Sequence, residues 1–221
     1  MRHEIVVFLG PSLDRDTAGR LLTGAFCPPA KRGDITDAVA RGARIITLID
    51  GVFFQDCSVG HREILGALKF GVRVIGSSSM GALRAAELDS LGMEGVGEIY
   101  RFYRDGILTS DDEVALVYDP ETFVALSEPL INIRCTIRAA EEAGVLRKRA
   151  ADLLAEIAKS LYFPDRTWDT IGSEAAKRIP PDEIRQFMDF LETSAVDQKR
   201  SDAQKALART KEIAAELGIS G

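Results

Sequence analysis

Short apolar runs alternate with helix-like patterns in the first half of the chain. Three of these runs are rich in β-branched residues and almost free of charge, which is typical of strands buried on both faces of a parallel sheet: residues 4–9, 45–49 and 72–75. Helical spacing of apolar positions follows them over residues 14–22, from a cap at Ser58 through Phe70, and over residues 82–88. Strands that alternate with helices predict a parallel sheet with right-handed crossovers.

The second half has a different pattern. Beyond Pro120 the apolar spacing is helical almost throughout, and prolines separate the segments. We predict helices over residues 133–143, 148–161, 173–178, 182–193 and 198–217. The predicted fold is therefore α/β, with a mostly parallel sheet and flanking helices in residues 1–118. Residues 119–221 form an all-helical region, which we expect to pack on the core as a second domain or as part of one continuous domain.

Composition and charge narrow the classes of function. Hydrophobic residues make up 46% and charged residues 28% of the 221 residues, a balance that is ordinary for a soluble folded protein. No apolar run approaches the roughly 18–20 residues that span a bilayer. The formal net charge of −6 disfavours general binding to nucleic acid, which needs a basic surface. We therefore expect neither a membrane nor a nucleic acid as a partner.

Cysteine and histidine usage bears on location and metal binding. The three cysteines, Cys27, Cys57 and Cys135, are widely spaced and form no CxxC pair, so we predict a reducing, cytoplasmic location. With only two histidines and no cysteine pair, a closed zinc site would need an unusual ligand set, whereas this argument leaves magnesium bound by carboxylates open.

Candidate chemistry follows the third predicted strand. Ligands of open parallel sheets bind beyond the carboxyl ends of the strands, where loops 10–12, 50–51 and 76–81 should converge. Ser79 has a small residue two positions before it and a glycine two positions after it, which is the spacing of a nucleophile elbow. The amide of Met80, with a second amide from Gly10 or Ser12, could stabilise an oxyanion. The same Gly/Ser-rich turn also occurs as an anion site or as a simple helix cap.

A serine nucleophile needs a base, and the sequence offers two candidates. Lys31 lies in a loop bounded by proline and glycine and could form a serine–lysine pair with Ser79, provided that its surroundings hold the amine neutral. His61 is the plausible imidazole. An exposed loop lysine and a surface histidine are the alternatives, so the choice of base stays open. Asp50 could orient Lys31 or cap a helix.

Several motifs, in order along the chain, resemble the TfuA family. They are densest over residues 5–118 and include FLGPSL at 8–13, PPAKRGDI at 28–35, IDGVFF at 49–54, HREIL at 61–65 and SMGALRAAEL at 79–88. Segments 103–106, 111–114 and 197–203 are also similar to the family. This resemblance implies a YcaO enzyme as a partner, which uses ATP to activate a peptide amide oxygen. It further implies a thiocarboxylated, ubiquitin-like (ThiS-like) sulfur-carrier protein as the source of sulfide.

The resemblance also implies a Ser–Lys pair, which matches Ser79 and Lys31. We therefore predict a hydrolase-like enzyme, without a cofactor or metal, that releases sulfide for peptide backbone thioamidation. The alternative is a non-catalytic adaptor that docks the carrier or the peptide on YcaO, and a nucleotide-binding domain is a third interpretation. Lys199 and Arg200 are candidates for contact with an acidic carrier. The sequence leaves the modified peptide, the oligomeric state and the YcaO interface undetermined.

Overall fold

Five parallel strands form a sheet in the N-terminal half of the protein. The computed structural model describes residues 3–53 and 57–219. The strands lie in the order β2-β1-β3-β4-β5, with the bounds β1 Ile5–Phe8, β2 Ala25–Cys27, β3 Ile45–Leu48, β4 Arg73–Ser77 and β5 Glu94–Val96. Every pairing between neighbours is parallel. The predicted mostly parallel sheet is thus confirmed, and all three predicted strands are present.

Five helices link the strands or follow them. Their bounds are α1 Arg15–Leu21, α2 Asp34–Ala40, α3 His61–Lys69, α4 Met80–Leu88 and α5 Glu98–Arg104. The prediction that Ser58 caps α3 is wrong, because Gly60 is the N-cap and the helix begins at His61. The carboxylate of Glu63 reaches back to the amide of Gly60 at 3.2 Å and also accepts from the amide of Gly33 at 2.7 Å. This side chain therefore sets the start of the helix.

The last helix, α10 (Gln198–Glu216), covers one face of this sheet together with α1. Side chains of β1 and β3 on that face pack against small residues of the two helices, among them Ala18, Ala203 and Ala206. The hydroxyls of Thr47 on β3 and Thr210 on α10 lie 2.6 Å apart within this packing. Small residues allow a helix to approach a sheet closely, and α10 packs directly on the sheet through such residues.

The chain divides by its contacts into two units, Met1–Asp111 with Lys199–Gly221, and Asp112–Gln198. This division differs from the predicted one, which placed the boundary after residue 118 and grouped the last helix with the helical half. The second unit contains α6 Leu130–Glu142, α7 Lys148–Ser160, α8 Trp168–Ala175 and α9 Pro181–Ser194. These helices bury a hydrophobic cluster of their own. The prediction that helices dominate the C-terminal half is confirmed.

No helix within residues 3–53 and 57–219 is both long enough and apolar enough to cross a membrane.

Candidate functional site

The loops after β1 and β3 are joined by one buried carboxylate. The strand order changes direction between β1 and β3, which is the place where open parallel sheets bind ligands. Asp50, only 2% exposed, follows β3 and accepts hydrogen bonds from the amides of Gly10 at 2.8 Å and Ser12 at 3.1 Å. Its other oxygen accepts from Ser12 Oγ at 2.6 Å. Asp50 therefore holds loop 10–12 in place.

This arrangement bears on three of the predicted site residues. The amides of Gly10 and Ser12, predicted as second oxyanion donors, already donate to Asp50 in this structure. The Asp50 side chain holds loop 10–12, whereas the sequence suggested that it orients Lys31 or caps a helix. Its link toward Lys31 runs through the backbone, since the amide of Ala30 donates to the Asp50 carbonyl at 2.9 Å.

The turn between β4 and α4 is strained at Ser78. Ser78 has a φ of 65°, and the amide of Ser79 donates to the carbonyl of Ser77 at 2.8 Å. Together these define a γ-turn with positive φ at its centre, a rare and strained conformation. Ser78 is fully buried, and its Oγ lies 3.0 Å from Ser12 Oγ and 2.9 Å from the carbonyl of Lys199. The elbow spacing in the sequence centres on Ser79, whereas the strain falls on Ser78.

Ser79 lies immediately before α4 and has a hydroxyl that the fold leaves unused. The residue is 2% exposed, and its side chain does not cap the helix that it precedes. No hydrogen bond to Ser79 Oγ is found in the described part of the chain. All fully buried side-chain nitrogen and oxygen atoms there do have partners, so Ser79 Oγ keeps contact with solvent.

The next residue completes the local geometry. Met80 is the first residue of the nine-residue α4, where backbone amides have no acceptor within the helix. A helix N-terminus favours negative charge on a nearby group. The arrangement at Ser79 and Met80 therefore has two of the parts that acyl transfer requires, an available hydroxyl and an amide beside it, and the base must come from another residue.

Lys31 lies at the neighbouring loop, and its amine is not hydrogen-bonded to Ser79. Lys31 is exposed and lines a cleft of about 340 Å³ together with Phe8, Cys27 and Arg41. Ser79 is not among the described residues that line this cleft. The backbone next to Lys31 is linked to α4 through Gly51. Ala30 pairs with Gly51, and a Cβ added to Gly51 would lie 2.9 Å from Met80 Cγ. The Ser79–Lys31 pair stays a prediction.

His61, the alternative base, takes part in a surface cluster. It is the first residue of α3, and its side chain is 51% exposed. His61 Nε2 lies 2.7 Å from Glu87 Oε2, and the same oxygen accepts from Arg84 at 2.6 Å. The imidazole is thus hydrogen-bonded to Glu87, in keeping with the surface histidine that the sequence offered as an alternative.

The two predicted partner contacts in α10 differ from each other. Lys199 is 2% exposed, so the structure does not present its amine on the surface, and the carbonyl of Lys199 instead accepts from Ser78. Arg200 is partly exposed and donates to Asp14 at 3.0 Å and to Thr17 at 3.2 Å. The Thr17 amide, together with Arg200, lowers the pKa of Asp14 to about 2.

Sequence reasoning missed Asp202, which is also part of α10. Asp202 is completely buried, and its carboxylate accepts from the amide of Ile99 at 2.8 Å. Its backbone carbonyl accepts from Ser77 Oγ at 3.0 Å, so α10 contacts both Ser77 and Ser78. The family-like segment 197–203 was the signal that could have pointed to it.

The comparison with protein families bears on this site. A family model described as TfuA-like protein matches residues 50–167, more than half of the chain. The chain belongs to the TfuA-like protein family. The matched segment contains Asp50, His61 and Ser79, whereas Lys31 and Arg200 lie outside it. No curated protein matches the chain.

Membership of the TfuA-like family bears on partners and chemistry. The family supports a role associated with YcaO-dependent thioamidation and with YcaO-type partners. As for metals, the described residues contain no group of three or more His, Cys, Asp or Glu side chains that could hold an ion.

Proposed function

We propose that this TfuA-like protein hydrolyses the C-terminal thiocarboxylate of a small ubiquitin-like (ThiS-like) sulfur carrier. The sulfide released would serve YcaO-dependent thioamidation of a peptide backbone. One observation supports this proposal above the others: Ser79 Oγ is nearly buried, has no partner among the described residues, and precedes the first amide of α4. A hydroxyl in that position is available to act as a nucleophile once a base takes its proton.

The proposed reaction has two steps. Ser79 Oγ attacks the carbonyl carbon of the thiocarboxylate while a base takes the hydroxyl proton, and the Met80 amide stabilises the negative oxygen. The base returns this proton to the sulfur, the C–S bond breaks, hydrosulfide leaves, and the carrier remains as an ester on Ser79. Water then attacks this ester, and the base takes a proton from the water and passes it to Ser79 Oγ as the C–O bond to Ser79 breaks. The products are the carrier carboxylate, hydrosulfide, the regenerated serine and one proton released to solvent.

Lys31 is the proposed base, a role that requires a neutral amine close to Ser79 Oγ. Its amine has no hydrogen-bond partner in the described residues, so no such bond there holds the side chain in the cleft. An exposed ammonium is a poor base, and exclusion of water favours the neutral amine. We therefore expect the bound carrier to cover Lys31 during the reaction. Because the sulfur of a thiocarboxylate is ionised near neutral pH, the same base must return the proton to the sulfur before hydrosulfide leaves.

The exposed position of Lys31 favours one alternative, a non-catalytic adaptor. In this second function the loop at Ser79 would hold the carboxylate end of the carrier or of the peptide, and YcaO would carry out all of the chemistry. An anion at the N-terminus of α4 is as compatible with binding as with catalysis.

The test is sulfide release from a thiocarboxylated carrier by the purified protein. Ser79→Ala should lower the rate by at least about 100-fold, since loss of a nucleophile removes the covalent step. Ser90→Ala, at an exposed serine after α4, is the matched control and should leave the rate unchanged. Unchanged release by Ser79→Ala, with carrier binding retained, would refute hydrolysis and support the adaptor. Loss of release in Lys31→Ala would support Lys31 as the base, and retention of release would direct attention to His61.

A further inference from the structure

A buried chain of hydrogen bonds lies next to the candidate nucleophile. Ser78 Oγ lies 3.0 Å from Ser12 Oγ, and Ser12 Oγ lies 2.6 Å from the Asp50 carboxylate. All three residues are buried. The chain therefore links the loops that follow three neighbouring strands, β4, β1 and β3.

These hydrogen bonds run in one direction, from Ser78 through Ser12 to Asp50. An ionised carboxylate only accepts, so the single hydroxyl proton of Ser12 goes to Asp50. Ser12 Oγ is then an acceptor for Ser78. The other partner of Ser78 Oγ is the carbonyl of Lys199 at 2.9 Å, which also only accepts, so the proton of Ser78 is shared between the two. Asp50 thereby orients the Ser12 hydroxyl directly and leaves Ser12 Oγ as an acceptor for Ser78.

The chain of hydrogen bonds ends at Ser78, the strained residue of the turn. A non-glycine residue in such a region costs on the order of 1–3 kcal/mol and persists only where its surroundings impose it. Here the imposing contacts are Ser12 on one side and the Lys199 carbonyl of α10 on the other. Without them, Ser78 would relax toward a negative φ.

The strain has a consequence for Ser79. An N-cap serine ordinarily has an extended backbone, and its hydroxyl accepts from an amide of the first helical turn. Ser79 instead has φ −117° and ψ −122°, and its side chain makes no capping bond. Relaxation of the turn would allow Ser79 to cap α4. That bond would engage the hydroxyl oxygen that the reaction uses, because an N-cap side chain accepts from the second or third amide of its helix.

We propose that Asp50, acting through Ser12 and Ser78, is a positioning residue that keeps the Ser79 hydroxyl from capping its own helix. This inference rests on the proposed function, in which Ser79 is the nucleophile. Asp50 touches no substrate in this role. Its effect passes through the turn, and α10 supports the same turn through the carbonyls of Lys199 and Asp202.

The reactivity of Ser79 tests the proposal without the carrier. A fluorophosphonate probe reacts with a nucleophilic serine: the Oγ–P bond forms, the P–F bond breaks, fluoride leaves, and the hydroxyl proton passes to the base. Mass spectrometry of the full chain, with peptide mapping, measures the rate at Ser79. Ser12→Ala should lower this rate about 10-fold or more, and Asp50→Asn should do the same. Ser90→Ala is the control and should leave it unchanged.

A second substitution separates positioning from a general structural role. Glycine adopts positive φ without strain, so Ser78→Gly should hold the turn without help from the chain. In the Ser12→Ala background, Ser78→Gly should therefore restore a large part of the labelling rate. Thermal melts followed by circular dichroism show which variants fold, and if Asp50→Asn does not fold, the Ser12→Ala pair decides.

The possible outcomes distinguish the two proposals. Labelling of Ser79 in Ser12→Ala at the wild-type rate would overturn the positioning role and leave the nucleophile intact. A slow Ser12→Ala variant that Ser78→Gly does not rescue would also overturn it. Absence of labelling at Ser79 in the wild-type protein, together with unchanged sulfide release by Ser79→Ala, would overturn the proposed function and this inference with it.

Discussion

Replacing Gly81 with alanine should destabilise the protein, although alanine is the better helix former. Gly81 is the second residue of α4, and its amide donates to the Ile49 carbonyl at 3.2 Å. A Cβ at this position would lie 1.7 Å from the carbonyl oxygen of Leu48, and real Cβ contacts do not fall below 3.0 Å. The obstacle is backbone of β3 and its end, which cannot rotate away as a side chain can. Helix and strand would have to separate.

The magnitude follows from three contributions. Overpacking of a close contact costs about 1–3 kcal/mol. Lengthening of the Gly81–Ile49 hydrogen bond removes about 1 kcal/mol. The higher helix propensity of alanine returns at most about 1 kcal/mol. We expect the free energy of unfolding to fall by about 2–3 kcal/mol, since a backbone obstacle belongs at the upper end of the first range.

Urea denaturation followed by circular dichroism measures this change, and Gly66→Ala is the matched control. Gly66 also lies within a helix, α3, but a Cβ there would meet nothing within 4 Å. Gly66→Ala should therefore stabilise the protein by about 0.5–1 kcal/mol. If Gly81→Ala were as stable as Gly66→Ala, α4 would not approach β3 as described, and the position of the serine turn would be wrong.

Three further predictions concern other parts of the chain. Asp14→Ala removes the N-cap of α1 and should cost about 1 kcal/mol or less near pH 7. Because the Thr17 amide and Arg200 hold the pKa of Asp14 at about 2, the charged group stabilises the fold above the ordinary carboxyl pKa, near 4. The difference in melting temperature between the two proteins should therefore shrink as pH falls from 4 to 2, and a constant difference would contradict this. Arg166→Met should lower the free energy of unfolding by about 2–3 kcal/mol in a denaturant titration. The reason is that Arg166 is 1% exposed and donates to Asp112 and Ala158. A change below about 0.5 kcal/mol, as expected of an exposed arginine, would refute this. Burial raises the pKa of the Cys27 thiol, so the pH profile of its alkylation by iodoacetamide should lie above that of free cysteine, and coincident profiles would refute the effect.

Local pattern was sufficient for the class of fold and for the main strands. Every residue of the β-branched runs at 5–8 and 45–48 is buried, and the sequence indicates this burial by a stretch without charge. Strands β2 and β5 escaped prediction because each has three residues and no such run. They become strands because β1 and β4 offer edges with which they pair. Pairing is a property of the folded chain.

The candidate site was likewise predictable from the sequence only in part. The spacing around Ser79, after an apolar run and before a helix-forming run, was enough to locate the turn in the sequence. The roles of its neighbours were not, because the contacts of Ser78 reach across 66 residues to Ser12 and 121 residues to Lys199. Local propensity carries no information about such separations. The sequence by itself determined where a reactive serine could stand, and only the tertiary structure decided that Ser78 bears the strain, that Asp50 holds the loop, and that Lys199 is buried.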